Sequence, residues 1–166
     1  MTATEAALAV MALSLCNGAG RILWGWASDR LGRPATFAIL FALQFVVFAL
    51  LARVSSFPAL AALAGIVGLC FGGGFAAMPA FTVDFFGARH AGTIYGAMLT
   101  AWGAGAAAGP VLIASVDYRT ALSVVAMIML LSAPLALLAH PEALARLARL
   151  LAPRFQSATA SASAVD

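Results

Sequence analysis

Long apolar runs, interrupted by short clusters of charge, glycine and proline, organise this chain. Five runs have helical length: roughly residues 6–28, 35–52, 57–82, 93–116 and 120–138. Each approaches or exceeds the roughly 20 residues that an α-helix needs to cross about 30 Å of hydrocarbon. A transmembrane barrel would alternate apolar and polar positions in stretches of about ten residues, and these runs do not alternate. The expected fold is an all-α membrane protein, a bundle of five transmembrane helices.

The breaks carry the polar chemistry. The first, Gly25-Trp26-Ala27-Ser28-Asp29-Arg30-Leu31-Gly32-Arg33-Pro34, reads as a charge-dense hinge at the water interface, where charge is tolerated. Trp24 and Trp26 beside it suit an interfacial aromatic belt. Arg53-Val54-Ser55-Ser56 and Asp117-Tyr118-Arg119 read as tight turns, and Asp84 to Gly92 as a polar connection. Past His140-Pro141, residues 142–155 set Leu144, Leu147, Leu150 and Leu151 at helical spacing beside Arg146 and Arg149, which suits an interfacial amphipathic helix or a solvated charge run. The expected organisation is a transmembrane bundle over 1–140, an amphipathic helix over 141–155 and a disordered Ser/Ala tail over 156–166.

Composition narrows the function classes. The chain is 64% hydrophobic and 9% charged, with a mean hydropathy of +1.03, which places it among polytopic membrane proteins with lipid as a partner. All nine basic residues are Arg, and none forms a basic cluster interleaved with aromatics, so no nucleic-acid partner is expected. Cys16 and Cys70 each lie inside an apolar run and read as small buried hydrophobes. Neither H-E-x-x-H nor G-x-S-x-G occurs and no cofactor or metal motif is present, which argues against an enzyme. A basic n-region is missing ahead of the first run, so no signal peptide is expected.

Arginine placement suggests an orientation. Helix alternation puts Arg30, Arg33, Arg89, Arg146, Arg149 and Arg154 on one side, and Arg53 and Arg119 on the other. Six against two makes the first side cytoplasmic, with the N-terminus outside and the C-terminus inside. The expected location is an integral membrane protein of the bacterial inner membrane.

Glycine concentrates in the third and fourth runs. Gly68/Gly72, Gly92/Gly96 and Gly105/Gly109 are small-xxx-small pairs that let helix backbones approach closely. The triplet Gly72, Gly73, Gly74, and Gly105 and Gly109 ahead of Pro110, suit either packing or bending of these helices.

Arg21 is the principal candidate for chemistry. It lies eight positions before Asp29, so roughly 12 Å deeper along a helix. A cation at that depth needs a polar cavity, a partner charge or a snorkelling route to the headgroups. Asn17 is one turn away on the same face. Together they suit a small carboxylate, which a guanidinium can hold with two parallel hydrogen bonds. Tyr95, Thr93, Thr100 and Gln44 are secondary candidates that equally suit hydrogen bonds between helices. Asp84, Arg89 and His90 suit a solvated or latching loop rather than proton coupling.

The hinge, with Gly25, Asp29, Arg30, Gly32 and Arg33, resembles the G-x-x-x-D-R-x-G-R-R loop of the major facilitator superfamily; Pro34 departs from it. The block Gly72-Gly73-Gly74-Phe75-Ala76-Ala77-Met78-Pro79-Ala80-Phe81-Thr82-Val83-Asp84-Phe85-Phe86-Gly87, with Gly92-Thr93-Ile94-Tyr95-Gly96, Leu99-Thr100-Ala101-Trp102-Gly103, Gly109-Pro110 and Asn17-Gly18-Ala19-Gly20-Arg21, is similar to the C-terminal half of its oxalate/formate antiporter branch. The resemblance covers most of residues 7–140 and implies helices eight to twelve of a twelve-helix carrier.

It further implies that the hinge latches cytoplasmic helix ends in one access state, with Asp29 at a partner helix N-terminus and Arg30 and Arg33 on carboxylates or helix C-termini. It implies a substrate-binding Arg in helix eight, which Arg21 matches, and a Lys in helix eleven, which this chain lacks. Trp102 stands in that neighbourhood, as a wall of the pathway or as an aromatic packed between helices. One cation favours a monocarboxylate over oxalate. The expected function is a secondary transporter of small organic anions working by alternating access, through antiport or proton symport. The alternative is a truncated or split carrier fragment that needs the N-terminal half as partner, because five helices do not make both halves of such a carrier.

Overall fold

A computed structural model describes residues 2–138. The segments expected at 141–155 and 156–166, and His140, lie outside the described residues. Five α-helices follow one another: α1 (Ala3–Leu31), α2 (Arg33–Leu51), α3 (Phe57–Phe86), α4 (Ala91–Ser115) and α5 (Tyr118–Leu138). All five are long and apolar enough to span a bilayer.

The helices run further than the hydrophobic pattern suggests. α1 begins three residues earlier, because Thr2 and Glu5 form a capping box: the Thr2 hydroxyl accepts from the Glu5 N–H and the Glu5 carboxylate accepts from the Thr2 N–H. The expected ten-residue hinge contracts to Gly32 alone. Gly25 to Leu31 continue α1, since charge at a water interface does not by itself break a helix, while Arg33 already opens α2 with Pro34 in its first turn. Asp84, expected in a connection, lies inside the last turn of α3.

Two glycines make the sharp breaks. Gly32 (φ 83°, ψ 153°) ends α1 and Gly87 (φ 76°, ψ 158°) ends α3, in a region that essentially only glycine occupies. Each stands three residues after an aspartate, in Asp29-x-x-Gly32 and Asp84-x-x-Gly87, and each amide donates to the carbonyl four residues back, Ser28 and Val83.

Packing divides into pairs. α1 lies along α3, and α2 lies along α5, with a smaller contact between α2 and α3. The α1–α3 approach is close because glycine lines it: a methyl group on Gly20 would overlap the Leu69 backbone, one on Gly72 the Asn17 carbonyl, and one on Gly68 would sit 2.5 Å from the Leu13 carbonyl oxygen. Gly73 lies against the Trp24 ring. Trp24 is therefore a core residue, packed with Ala27, Leu40 and Cys70, and not part of an interfacial belt; its Nε1–H has no hydrogen-bond partner among the described residues. Trp26, two positions on, points away from the bundle and is exposed.

α4 sits differently. It leans on α3 through Met98 and Trp102, and a Cβ at Gly92, Gly96, Gly103, Gly105 or Gly109 would meet nothing within 4 Å. Gly74 of α3 is equally open. Of the glycines expected to pack or bend helices, Gly72 and Gly73 lie in a helix seam, while Gly74, Gly105 and Gly109 face open space. Pro110 lies within α4, and Pro79 and Pro134 within α3 and α5, each removing a backbone donor from the helix ladder.

Candidate functional site

Three helix ends meet on one guanidinium. Arg33 Nε donates to Asp84 Oδ2 at 3.0 Å, while Nη1 reaches Asp29 Oδ1 at 2.8 Å and the Ser28 hydroxyl oxygen at 2.7 Å. Ser28 is fully buried. Arg33 thus joins the C-terminal turns of α1 and α3 to the first turn of α2. The carboxylates lie near helix C-termini, where their charge is unfavourable to the macrodipole, and the guanidinium hydrogen-bonds both and offsets part of their charge. Arg30 takes no part in this cluster; its Cζ lies 3.7 Å from the centre of the Trp26 ring, a cation–π contact at the same end of α1. Thus the carboxylate-binding role expected of both arginines falls to Arg33, and Asp29 pairs with Arg33 rather than standing free for another helix. The partnership with Asp84 crosses 51 positions of sequence, and the recurrence of D-x-x-G at both helix ends is the one signal that could have exposed it.

Arg21 lies in the middle of α1 and is exposed, and no carboxylate among the described residues pairs with it. Ser14, Asn17, Gly18, Arg21, Gly25 and Ser28 recur at three- and four-residue spacing, so α1 carries a polar, small-residue stripe beside the face that meets α3. Asn17 is half-buried because its backbone forms part of the α3 contact. The stripe offers a fixed guanidinium and an amide one helical turn apart, the chemistry that binds a planar carboxylate.

Trp102 is elsewhere. Its ring meets Phe75 edge-on, centroids 5.5 Å apart, and Phe71 at 6.4 Å. These aromatics wall a cavity of about 270 Å³ between α2, α3, α4 and α5, into which Gln44 supplies the amide and Cys70 and Met129 the sulfurs. Neither Arg21, Asn17 nor Tyr95 lines it. Tyr95 is half-buried on α4, and Thr100 is exposed with its hydroxyl donating to the Ala97 carbonyl. The structure therefore brings Trp102 and Gln44 together and keeps Arg21 with Asn17 on another helix face. The contribution of Phe71 and Phe75 was not legible in a chain where apolar residues dominate.

At the opposite end of the bundle, Asp117 precedes α5 and caps it. Its carboxylate accepts from the Thr120 hydroxyl at 2.6 Å and from the Thr120 N–H at 2.9 Å. These bonds hold the Asp117 carboxyl below its ordinary range.

Comparison with known proteins agrees with this architecture. The oxalate:formate antiporter of Oxalobacter formigenes is 30% identical over 135 residues, covering 78% of this chain and 32% of that protein. The apicoplast pyruvate carrier 1 of Toxoplasma gondii is 31% identical over 98 residues, 58% of this chain and 18% of that carrier. The chain thus spans about a third or less of the length of these curated relatives. No solved structure matches it. The family model described as Major Facilitator Superfamily matches residues 1–160. With five membrane-length helices and a match over nearly its whole length, the chain belongs to the major facilitator superfamily of membrane transporters.

Proposed function

We propose that this chain is part of a secondary transporter of small organic anions, with monocarboxylates as the favoured substrates. Arg21 carries the proposal: a cation in the middle of an apolar helix, exposed from the bundle and without a carboxylate partner among the described residues. Such a charge is retained in a membrane segment where it faces a polar path or a ligand. Asn17 adds an amide one turn away. Two similar proteins are named for oxalate and formate and for pyruvate, all small carboxylates, which supports the substrate class. A single cation on α1, with Trp102 rather than a second cation on α4, favours one carboxylate over two. Tyr95 remains a secondary ligand candidate.

In this reading α1 to α5 are helices eight to twelve, the C-terminal half of the carrier, which works with an N-terminal half in the same or a separate chain. The Arg33 cluster, with Asp29, Ser28 and Asp84, closes the cytoplasmic end in one access state, and Gly25, Arg30 and Gly32 shape that end. The carrier sits in a bacterial inner membrane with the start of α1 outside. Antiport and proton symport both fit. A second reading, a split carrier fragment inactive by itself, is favoured by coverage of only 32% of the antiporter, since alternating access needs two bundles rocking about a shared site.

The test is uptake of labelled formate, pyruvate and oxalate by membranes carrying this chain, alone and together with an N-terminal half. Arg21→Ala should reduce uptake by roughly thirtyfold or more, the loss on the order of 2 kcal/mol expected when one partner of a desolvated charge pair is removed. Arg21→Lys should recover part of it, as a point charge without the planar fork. Uptake unaffected by Arg21→Ala would discard the site, and uptake by this chain alone would discard the fragment reading. Preloading with unlabelled substrate should accelerate uptake under antiport and leave it unchanged under proton symport.

A further inference from the structure

Two arginines lie at the end of the bundle opposite Arg33, one of them lining a groove and the other standing one helical turn from a residue that lines it. Arg53 follows the C-terminus of α2, and Arg119 lies in the first turn of α5. α2 and α5 run antiparallel, and a cavity of about 270 Å³ opens between them at this end, lined by Arg53 and Ser123 with Phe45, Ala49 and Met127 as apolar walls. Arg119 stands one turn before Ser123 on α5, and the Ser123 hydroxyl donates to the Arg119 carbonyl. Both guanidinium groups are exposed, and neither has a carboxylate partner among the described residues. The N-terminus of α5 is already capped by the Asp117 carboxylate, so the guanidinium groups alone remain to hold a further anion.

The groove continues into the bilayer. Ala38, Ala42, Phe45, Ala49 and Ala52 recur on α2 at three- and four-residue spacing, and Ser123, Ala126, Ala133 and Leu137 on α5 share one face in the same way. A second cavity, about 490 Å³, lies toward the other end of this seam, between the first half of α2 and the end of α5, and has only apolar residues around it. Cations at one end and a strip of small apolar residues along the seam match the chemistry of a phospholipid, with the phosphate on arginine and an acyl chain along the helices.

We propose that the α2–α5 seam is a binding site for an anionic phospholipid, its phosphate held by Arg53 and Arg119 and one acyl chain lying over Ala49 and Ala42. The lipid covers the seam between these two helices and ties the turn after α2 to the start of α5.

The experiment is native mass spectrometry of the whole chain purified from membranes and exchanged into mixed phosphatidylglycerol and phosphatidylcholine, with thermal unfolding in each lipid. Phosphatidylglycerol should be retained preferentially, and Arg53→Gln and Arg119→Gln should each weaken that retention by roughly fivefold. Arg89→Gln, which removes an exposed arginine at the other end, should leave it unchanged. Ala49→Phe, which fills the groove but keeps both charges, should displace the lipid and lower the unfolding temperature in phosphatidylglycerol to its value in phosphatidylcholine. Equal retention of the two lipids, or retention unaffected by both arginine substitutions, would overturn the proposal. So would stabilisation by inorganic phosphate that survives Ala49→Phe, since the site would then take a free anion.

Discussion

Arg33 concentrates three interactions in one side chain, and a lysine does not replace it. Its Nε and Nη1 address different carboxylates, and Nη1 also reaches the buried Ser28 hydroxyl; an ammonium has no such fork. Both carboxylates are more than half exposed, so solvent screens each pair, and its coupling should be about 0.5–1 kcal/mol. A double-mutant cycle of Arg33→Ala with Asp84→Ala, read by thermal unfolding in detergent, measures that coupling; a value near zero would leave the cluster without a structural role. Arg33→Lys should behave closer to Arg33→Ala than to the parent. The charge cluster in Asp29-Arg30-Leu31-Gly32-Arg33 was legible as a site, because charge in so apolar a chain must find water. Its true partner was not: Asp84 is linked to it through the packing of α1 on α3, and a pattern of polarity cannot report a pairing between distant helix ends. The same limit explains Trp24, whose burial against Gly73 depends on which helix covers it.

At the scale of the element, the helix ends follow local chemistry that is readable residue by residue. Thr2 and Glu5 begin α1 and Gly32 ends it, while the charges between Gly25 and Leu31 leave it intact. Gly32→Ala and Gly87→Ala should each lower stability by about 1–3 kcal/mol, since both glycines hold a backbone conformation closed to other residues. At the start of α5, the Asp117 carboxyl has a folded-state pKa below its unfolded one. The cap therefore contributes above the ordinary carboxylate range and is lost as pH falls through the lowered value. The unfolding temperatures of the parent and Asp117→Ala should differ at neutral pH and converge in strong acid. In the helix seams, Gly72→Ala sets a methyl group against the Asn17 carbonyl, and backbone cannot move aside as a side chain can. A loss of about 1–3 kcal/mol is expected, with α1 and α3 forced apart. Gly74→Ala, two positions on, meets no atom within 4 Å and should be neutral or stabilising, because glycine in a helix interior is itself unfavourable by about 1 kcal/mol.

At the scale of the whole molecule, α4 is the least covered of the five helices. α1 has α3 along it and α2 has α5, whereas α4 touches α3 with one face and leaves another uncovered. By helical register Gly92, Gly96, Gly103 and Ala107 share that uncovered face, set apart from the Met98 and Trp102 side that meets α3. Glycine gives a soluble helix no advantage and a lipid-facing helix none either; its use in a bilayer is close backbone approach to another helix. The curated relatives are three or more times longer than the stretch matched here, so their chains extend well beyond it. Gly96→Leu and Gly103→Leu should therefore leave the unfolding temperature of this chain by itself unchanged or raise it by a few degrees, since each removes no contact and replaces a helix-interior glycine. Combined with the proposed N-terminal half, the same variants should impair assembly, read as loss of the co-purified half and of the proposed carboxylate uptake. If assembly and uptake persist with both leucines present, the glycine face looks onto lipid or onto the substrate path, and the close-packing argument for α4 is wrong. If the isolated chain already loses stability, α4 is packed through that face within these five helices, and its glycines serve that contact rather than a second half.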